Sequence, residues 1–180
     1  LDTGVLYRMV ARAMRDPGHD IHDAIAAEAI VGSFDETAFP EERLRGREIG
    51  EAASVVAAMP AVRAGLLTRQ RRFAAQAGGA VLDGRDIGTV ICPEAPAKLF
   101  VTATPEVRAA RRHKELVGRG ETVTFDGILA DIRRRDARDS GRSDAPLKAA
   151  EDAVVLDTSA LTVEEAAAAA IGIVEGRRAA

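Results

Sequence analysis

Aromatic residues are scarce in this sequence: they make up 3% of its 180 residues, and tryptophan is absent. Proteins that hold single-stranded nucleic acid stack the bases on aromatic side chains, so this composition offers little for stacking. The formal net charge of −3 also gives no general attraction to a polyanion. These two features disfavour an arginine-rich RNA-binding module, and we expect no nucleic-acid partner.

Cysteine and long apolar runs are scarce as well. The single cysteine, Cys92, cannot form a disulfide within the chain or a zinc site built from several cysteines. No apolar run approaches the ~20 residues that a membrane-spanning helix needs. We therefore expect a cytoplasmic protein that has no membrane partner. We also expect a monomer.

Lysine is the third rare residue, with 3 lysines against 22 arginines. The planar arginine fork makes two-point contacts with phosphate and carboxylate groups, whereas lysine acts as a point charge. Genome base composition is an alternative explanation for the total number of arginines. It does not explain why they cluster, and the clusters indicate phosphate or carboxylate binding.

Short apolar runs alternate with amphipathic stretches along the chain. The runs at 80–82, 98–102 and 153–157 predict buried β-strands. Apolar periodicity with proline and glycine signals predicts helices, the first with Thr3 as its N-cap, at 5–14, 21–30, 48–58, 60–78, 106–116, 125–138 and 162–175. The polar segment 32–46 is predicted to be an exposed loop. This alternation favours an α/β fold with a parallel sheet and helices on both faces.

The turn from Asp83 to Thr89 follows the first predicted strand, where ligands bind in open parallel sheets. At this place Asp83 is suited to hold a metal-bound water, and Arg85 to bind a phosphate. The carboxylate of Asp86 is suited to accept a hydrogen bond from a base amino group. The alternative is an ordinary strand-to-helix turn with a surface Arg–Asp pair.

Two groups of charged residues lie on the neighbouring helices predicted at 106–116 and 125–138. Their spacing puts each group on one helix face: Arg108, Arg111 and Arg112 on the first, and Arg135, Arg138, Asp139 and Arg142 on the second. Only Glu115 is at pairing distance along the first helix, so we expect its arginines to lack internal partners. Arginines on a mobile hairpin stabilise the negative charge that spreads during phosphoryl transfer. A solvated helix face is the alternative.

Several motifs, highly specific only in combination, cover nearly the whole chain. They are Leu1-Asp2-Thr3-Gly4 with Tyr7-Arg8, Ala53-Ser54 with Pro60 and Arg63, Asp83-Gly84-Arg85-Asp86-Ile87-Gly88-Thr89, the Arg108/Arg111/Arg112 helix, Arg135-Asp136 with Arg138-Asp139 and Arg142, and Ala145-Pro146-Leu147. With these motifs the sequence resembles the bacterial-type cytidylate kinases, which are nucleoside-monophosphate kinases of the P-loop class. The resemblance implies transfer of the γ-phosphoryl group of ATP to CMP or dCMP.

The resemblance also implies roles for individual residues. The cytosine ring would be read by Ser54, Arg63 and Asp86, and the monophosphate would be held by Arg8 and Arg85 in a pocket shaped by Thr3 and Tyr7. The sugar and phosphate of the acceptor would be reached by Arg135, Asp139 and Arg142. Asp83 would orient the water shell of Mg²⁺, and Arg108, Arg111 and Arg112 would close over ATP, with Arg111, Arg112 and Asp83 as the catalytic residues.

In fold, the resemblance implies a P-loop NTPase-like parallel sheet flanked by helices, with a small monophosphate-binding lobe and a helical arginine lid. The single domain, residues 1–180, would have its core at 1–15, 61–105 and 145–180, the lobe at about 16–60 and the lid at about 106–144. The stretch 32–49 is short and polar where the family often carries a longer insertion. We therefore expect a reduced lobe.

The sequence contains no G-x-x-x-x-G-K-[ST] phosphate loop. We expect this loop, with its strand and helix, in a segment of ~30 residues before Leu1, and we expect the chain as written to be poorly stable and to lack turnover. Two alternatives to a CMP kinase remain at this stage. One is a kinase for another monophosphate, UMP or AMP, and the other is a non-catalytic nucleotide-binding domain.

Overall fold

The fold is given by a computed structural model that describes residues 1–33, 35, 39–141 and 145–179. The helices are α1 (Thr3–Arg15), α2 (Ala24–Gly32), α3 (Arg47–Val56), α4 (Pro60–Ala74), α5 (Pro105–Gly118), α6 (Phe125–Ser140) and α7 (Val163–Ala179). The strands are β1 (Leu99–Thr102) and β2 (Val154–Asp157), and the chain also forms a 3₁₀ turn at Glu41–Leu44 and a π-helical turn at Ile87–Ile91.

Strands β1 and β2 form a parallel pair, with Leu99 opposite Val154 and Thr102 opposite Asp157. Parallel neighbours need a crossover, and α5 and α6 supply it. Helix α7 follows β2 and packs against it. The α/β class with a helix-flanked parallel sheet is therefore confirmed.

The prediction of three buried strands was wrong in two respects. Residues 80–82 form no strand, and Val81 is 84% exposed; of this segment only Asp83 makes an isolated parallel bridge, to Asp2. In the two real strands, Val101 and Val155 are 60% and 59% exposed. An apolar run is compatible with a buried strand or an extended connection, because burial depends on which elements cover it.

Helix starts lie within two residues of the predicted ones except at α2, which begins at Ala24 instead of residue 21; the N-cap was predicted wrongly at α1. There the side chain of Asp2 accepts a hydrogen bond from the Gly4 N–H at 2.8 Å, so Asp2, not Thr3, is the N-cap. Pro60 and Pro105 each open their helix, where the missing N–H costs nothing. The predicted exposed loop 32–46 contains the 3₁₀ turn at Glu41–Leu44, in which Leu44 is buried.

The main hydrophobic core lies between α1, α2, α3 and α4. Its centre is formed by fully buried side chains: Val10, Ala11, Met14, Val56, Val62 and Leu66. These residues recur at helical spacing, so each helix turns one apolar face inward and leaves the opposite face for polar side chains. Arg8 on α1 therefore points away from the core that its neighbour Tyr7 enters.

Helices α5 and α6 form a hairpin with a small core of its own around Ala109, Leu116 and Ile128. Gly120 in the connection has φ +79°, a left-handed conformation that glycine adopts without strain. Among the described residues, no single helix is long and apolar enough to cross a membrane. The pair α3 and α4 passes the same test only jointly and is bent by 98°.

Candidate active site

A cleft of about 710 Å³ lies between the α5–α6 hairpin and the helices α1 and α3. Five of the arginines predicted from the sequence line it: Arg8, Arg85, Arg108, Arg112 and Arg135. They come from α1, the 83–89 turn, α5 and α6, so the fold brings together residues that are far apart along the chain. The cleft is therefore the candidate site for phosphate groups.

The arginines at the centre of the cleft repel one another. The pKa of the Arg135 guanidinium is lowered, first because burial desolvates it and next because Arg85 repels it; Arg8 adds to this repulsion, and Asp139 opposes it. The Nε of Arg135 is buried and finds no hydrogen-bond partner among the described residues; its distance to Asp139 Oδ2 is 3.7 Å. Clustered cations with an unused donor form a site suited to an anion.

Asp139 is the acidic residue that pairs with this arginine cluster. Its side chain is 6% exposed, and its Oδ2 accepts a hydrogen bond from Arg85 Nε at 3.0 Å. Because Asp139 is buried, it is in a position to orient Arg85 rather than to contact bulk solvent. Arg142, predicted to act with Arg135 and Asp139, lies outside the described residues.

The residues predicted to read the base are buried rather than open to the cleft. Arg63 on α4 pairs with Asp86 on the 83–89 turn, and their side chains are only 9% and 5% exposed. Ser54 on α3 is also buried, at 3% exposure, and its hydroxyl oxygen finds no partner among the described residues. An unpaired buried hydroxyl is costly, so it marks a place where a ligand group or a water can bind.

The start of α1 is fixed to the 83–89 turn. Thr3 is buried and donates through both its N–H and its hydroxyl to the carbonyl oxygen of Asp83, at 2.9 and 2.8 Å. Tyr7, one helical turn later, is buried in the core. A side chain at Gly84 would collide with the Thr3 hydroxyl, because a Cβ built there lies 2.3 Å from it. This contact explains why the turn has glycine after Asp83.

The carboxylate of Asp83 is exposed and lines a second cavity of about 430 Å³ beside β1. No group of three or more His, Cys, Asp or Glu side chains able to hold a metal ion occurs in the described part of the chain. Mg²⁺ in kinases is held by one or two carboxylates, waters and the phosphates of the substrate. Asp83 offers one such carboxylate, in a cavity that shares Arg85 and Arg108 with the phosphate cleft.

The three arginines of α5 have different surroundings. Arg108 makes a two-point contact with Asp136 of α6, at 2.9 and 2.5 Å, and donates to the Ala103 carbonyl. Arg112 pairs with Glu115 at 2.7 Å and lines the cleft. Arg111 is not among the residues lining the cleft.

Arg111 turns instead to the loop after β2. It donates to Thr158 Oγ1 and to the carbonyls of Thr158 and Leu161. The expectation that these arginines lack internal partners was wrong, because it counted only partners along the same helix. A neighbouring helix and a loop supply the others.

Sequence reasoning missed three of the four charged residues that join α3 to α6, because of the four it singled out only Arg138. Arg47 pairs with Asp131, and Glu51 pairs with Arg138. The i, i+4, i+7 spacing of Arg47, Glu51 and Ser54 on α3 was the available signal, because it places the two charged residues on the same helix face as Ser54.

Comparison with known proteins gives the family of the chain. The family model described as "Cytidylate kinase" matches residues 1–176. A protein named cytidylate kinase from Xanthobacter autotrophicus is 62% identical over 179 residues, which are 99% of this chain and 86% of that protein. The corresponding proteins of Methylocella silvestris and Caulobacter vibrioides are 61% and 59% identical, over 97% and 99% of this chain and 81% and 84% of their own lengths. The chain therefore belongs to the cytidylate kinase family.

Proposed function

We propose that this protein transfers the γ-phosphoryl group of ATP to CMP or dCMP, giving CDP or dCDP and ADP. The observation that carries the proposal is the cluster of Arg8, Arg85 and Arg135 in the cleft, where three cations face one another. A doubly charged monophosphate removes their repulsion and accepts their N–H groups. Membership of the cytidylate kinase family supports the same reaction.

The transfer breaks the bond between the γ-phosphorus and the oxygen that bridges it to the β-phosphate. A bond forms between that phosphorus and an oxygen of the CMP phosphate, and the electron pair of the broken bond stays on ADP. Arg112 in the cleft wall is placed for the charge that spreads over the γ-phosphoryl group, and we assign Arg108 and Arg111 to ATP as well. In the conformation described above, Arg111 would have to leave Thr158 to reach the cleft.

Mg²⁺, when bound, neutralises charge on the phosphates of ATP. Asp83 is the carboxylate that we assign to its water shell. Within the chain, Thr3 keeps Asp83 in place by donating a hydrogen bond to its carbonyl oxygen. Arg85, two residues after Asp83, binds the acceptor phosphate.

We assign the cytosine ring to Arg63, Asp86 and Ser54. The amino group of cytosine donates a hydrogen bond that a carboxylate can accept. Its ring nitrogen and carbonyl oxygen accept hydrogen bonds that a guanidinium and a hydroxyl can donate. The buried Arg63–Asp86 pair combines a donor and an acceptor side by side. Arg135, Asp139 and Arg142 are assigned to the sugar and phosphate, and Thr3 and Tyr7 to the walls of the phosphate pocket.

We further propose that the α5–α6 hairpin acts as the lid and that the region of α2 and α3 acts as the monophosphate lobe. The protein is proposed to be a cytoplasmic monomer whose partners are small nucleotides, without nucleic acid or membrane. A kinase for UMP or AMP is disfavoured by the set of Ser54, Arg63 and Asp86, in which the carboxylate of Asp86 weighs against uracil in particular. A non-catalytic nucleotide-binding domain is disfavoured by membership of a kinase family.

Base selection is the direct test of this proposal. In calorimetric titrations of the protein made from its complete coding region, CMP should bind about ten- to a hundredfold more tightly than UMP. Uracil puts a carbonyl where cytosine has the amino group, so the Asp86 carboxylate would face an oxygen without a donor, at a cost of about 1–3 kcal/mol.

The matched variant for this test is Asp86→Asn, whose amide can donate to the uracil carbonyl. This variant should bring the affinities for CMP and UMP closer together. The titrations are made well below its unfolding temperature, so that the folded protein is measured. Equal affinities of the unaltered protein for the two nucleotides would refute the assignment of Asp86 and the preference for cytosine.

A further inference from the structure

Two ion pairs of opposite polarity join α3 to α6. On one side Arg47 of α3 makes a two-point contact with Asp131 of α6, with Nη2 donating to Oδ1 at 2.8 Å. On the other side the polarity is reversed: Arg138 of α6 donates to Glu51 Oε1 of α3 at 2.6 Å.

The residues of each helix are spaced so that they share one face. Arg47 and Glu51 are four residues apart on α3, and Asp131 and Arg138 are seven apart on α6. Three of the four, Arg47, Glu51 and Asp131, line the 710 Å³ cleft. The two pairs therefore form a charged seam in the cleft wall.

The same helix faces carry residues assigned to the substrate. On α3, Ser54 follows Glu51 by three residues, and on α6, Arg135 lies between Asp131 and Arg138. A shift of α6 along α3 would therefore change the distance between the group assigned to the base and the group assigned to the phosphate.

The alternating signs select a single register. If α6 slid so that Arg138 approached Arg47, or Asp131 approached Glu51, like charges would face each other. Pairs of complementary sign that alternate along an interface fix orientation more than they add stability. The exposure of these side chains agrees with this, because Arg47 is 63% exposed and Glu51 is 42% exposed.

Asp131 is the most buried member of the seam, at 19% side-chain exposure. Burial raises the pKa of its carboxyl, but the hydrogen bonds from Arg47 and Arg134 outweigh burial, so the pKa lies below its usual value. The same hydrogen bond raises the pKa of the Arg47 guanidinium. Both groups are therefore charged at neutral pH.

We propose that the Arg47–Asp131 and Glu51–Arg138 pairs form an ion-pair clasp that holds α6 in register on α3, and that its members are positioning residues for CMP. The effect on CMP rests on the proposed function, whereas the clasp between the helices does not. None of the four residues has to touch the nucleotide; they set the spacing between the residues that do.

The test reverses one pair and then restores it with the charges exchanged. Glu51→Arg and Arg138→Glu each put like charges opposite, and each should raise the KM for CMP about tenfold with a smaller change in kcat. The exchanged double variant, E51R/R138E, should return the KM to within about threefold of the unaltered protein. Arg133→Glu is the matched control, because it reverses a charge on α6 whose partner, Glu106, lies within the hairpin.

Amide hydrogen exchange of the nucleotide-free protein tests the clasp without enzyme activity. Each single variant should speed exchange in α3 and α6, and the double variant should restore protection. A double variant with the summed defects of the two single variants in both measurements would overturn the proposal, as would single variants that behave like Arg133→Glu. If the unaltered protein failed to phosphorylate CMP, the proposed function would fail, and hydrogen exchange would still decide whether the clasp exists.

Discussion

Replacement of Arg63 by alanine is expected to lower the free energy of unfolding by about 3–5 kcal/mol. Arg63 and Asp86 are almost wholly buried, and the variant would leave the Asp86 carboxylate charged in the interior without this partner. Such a charge loses its hydration and gains nothing in return. Urea unfolding at neutral pH measures the effect.

The double variant R63A/D86A separates the loss of a partner from the loss of packing. Removal of both charges should recover most of the stability, because buried pairs replaced by apolar groups are often close to neutral. CMP binding should be lost in both variants, since each lacks at least one of the charged groups assigned to the base. If the free energy of unfolding of R63A stayed within about 1 kcal/mol of that of the unaltered protein, the pair would not be shielded from water.

Replacement of Arg85 by alanine is expected to lower kcat/KM for CMP by about 10²–10³. Arg85 lies in the cleft beside Arg135 and is oriented by the buried Asp139 through a 3.0 Å hydrogen bond. Its guanidinium is assigned to the acceptor phosphate, whose position decides whether the attacking oxygen is in line. Steady-state kinetics with varied CMP measures the change.

Two further variants control for charge and for stability. Arg85→Lys keeps the charge but loses the fork, and it should fall between the alanine variant and the unaltered protein. Arg72→Ala removes an exposed arginine from α4 and should leave kcat/KM unchanged. An Arg85→Ala protein with normal kinetics would show that Arg85 does not bind the acceptor phosphate and serves only as a partner in an Arg–Asp ion pair.

Much of the helical structure was predictable because it depends on local signals. Apolar periodicity and proline at the first helical position located α4 and α5, whose starts agree with the structure. The N-cap of α1 was misplaced by one residue because Asp2 and Thr3 are both good capping residues. The tertiary contact of Thr3 with Asp83 decided between them, and such a contact is not visible locally.

The strands and the segment 80–82 were less predictable, because their exposure also depends on tertiary contacts. Val81 belongs to an apolar run, yet it is 84% exposed, and its carbonyl oxygen accepts a hydrogen bond from the amino group of Leu1. Alternation of apolar and polar residues would have indicated a half-exposed strand, but four-residue strands such as β1 and β2 are too short to display it.

The candidate site was predictable in its chemistry but not in its pairing. The sequence indicated that Arg8, Arg85 and Arg135 would serve phosphate binding, and the fold gathers them in one cleft. It did not indicate that Arg108 would be held by Asp136, because that partner lies 28 residues away on the next helix. Ion pairs between helices depend on the crossing of the helices, which periodicity alone does not give.

One competition experiment tests the proposed reaction most directly. The protein made from its complete coding region is given ATP, Mg²⁺ and an equimolar mixture of CMP, dCMP, UMP and AMP, and the products are separated by chromatography. We expect CDP and dCDP as the main products, with ADP formed in an amount equal to their sum and AMP left unchanged. UDP as the main product, consumption of AMP, or no transfer to any of the four nucleotides would contradict the assignment of this protein as a kinase of CMP and dCMP.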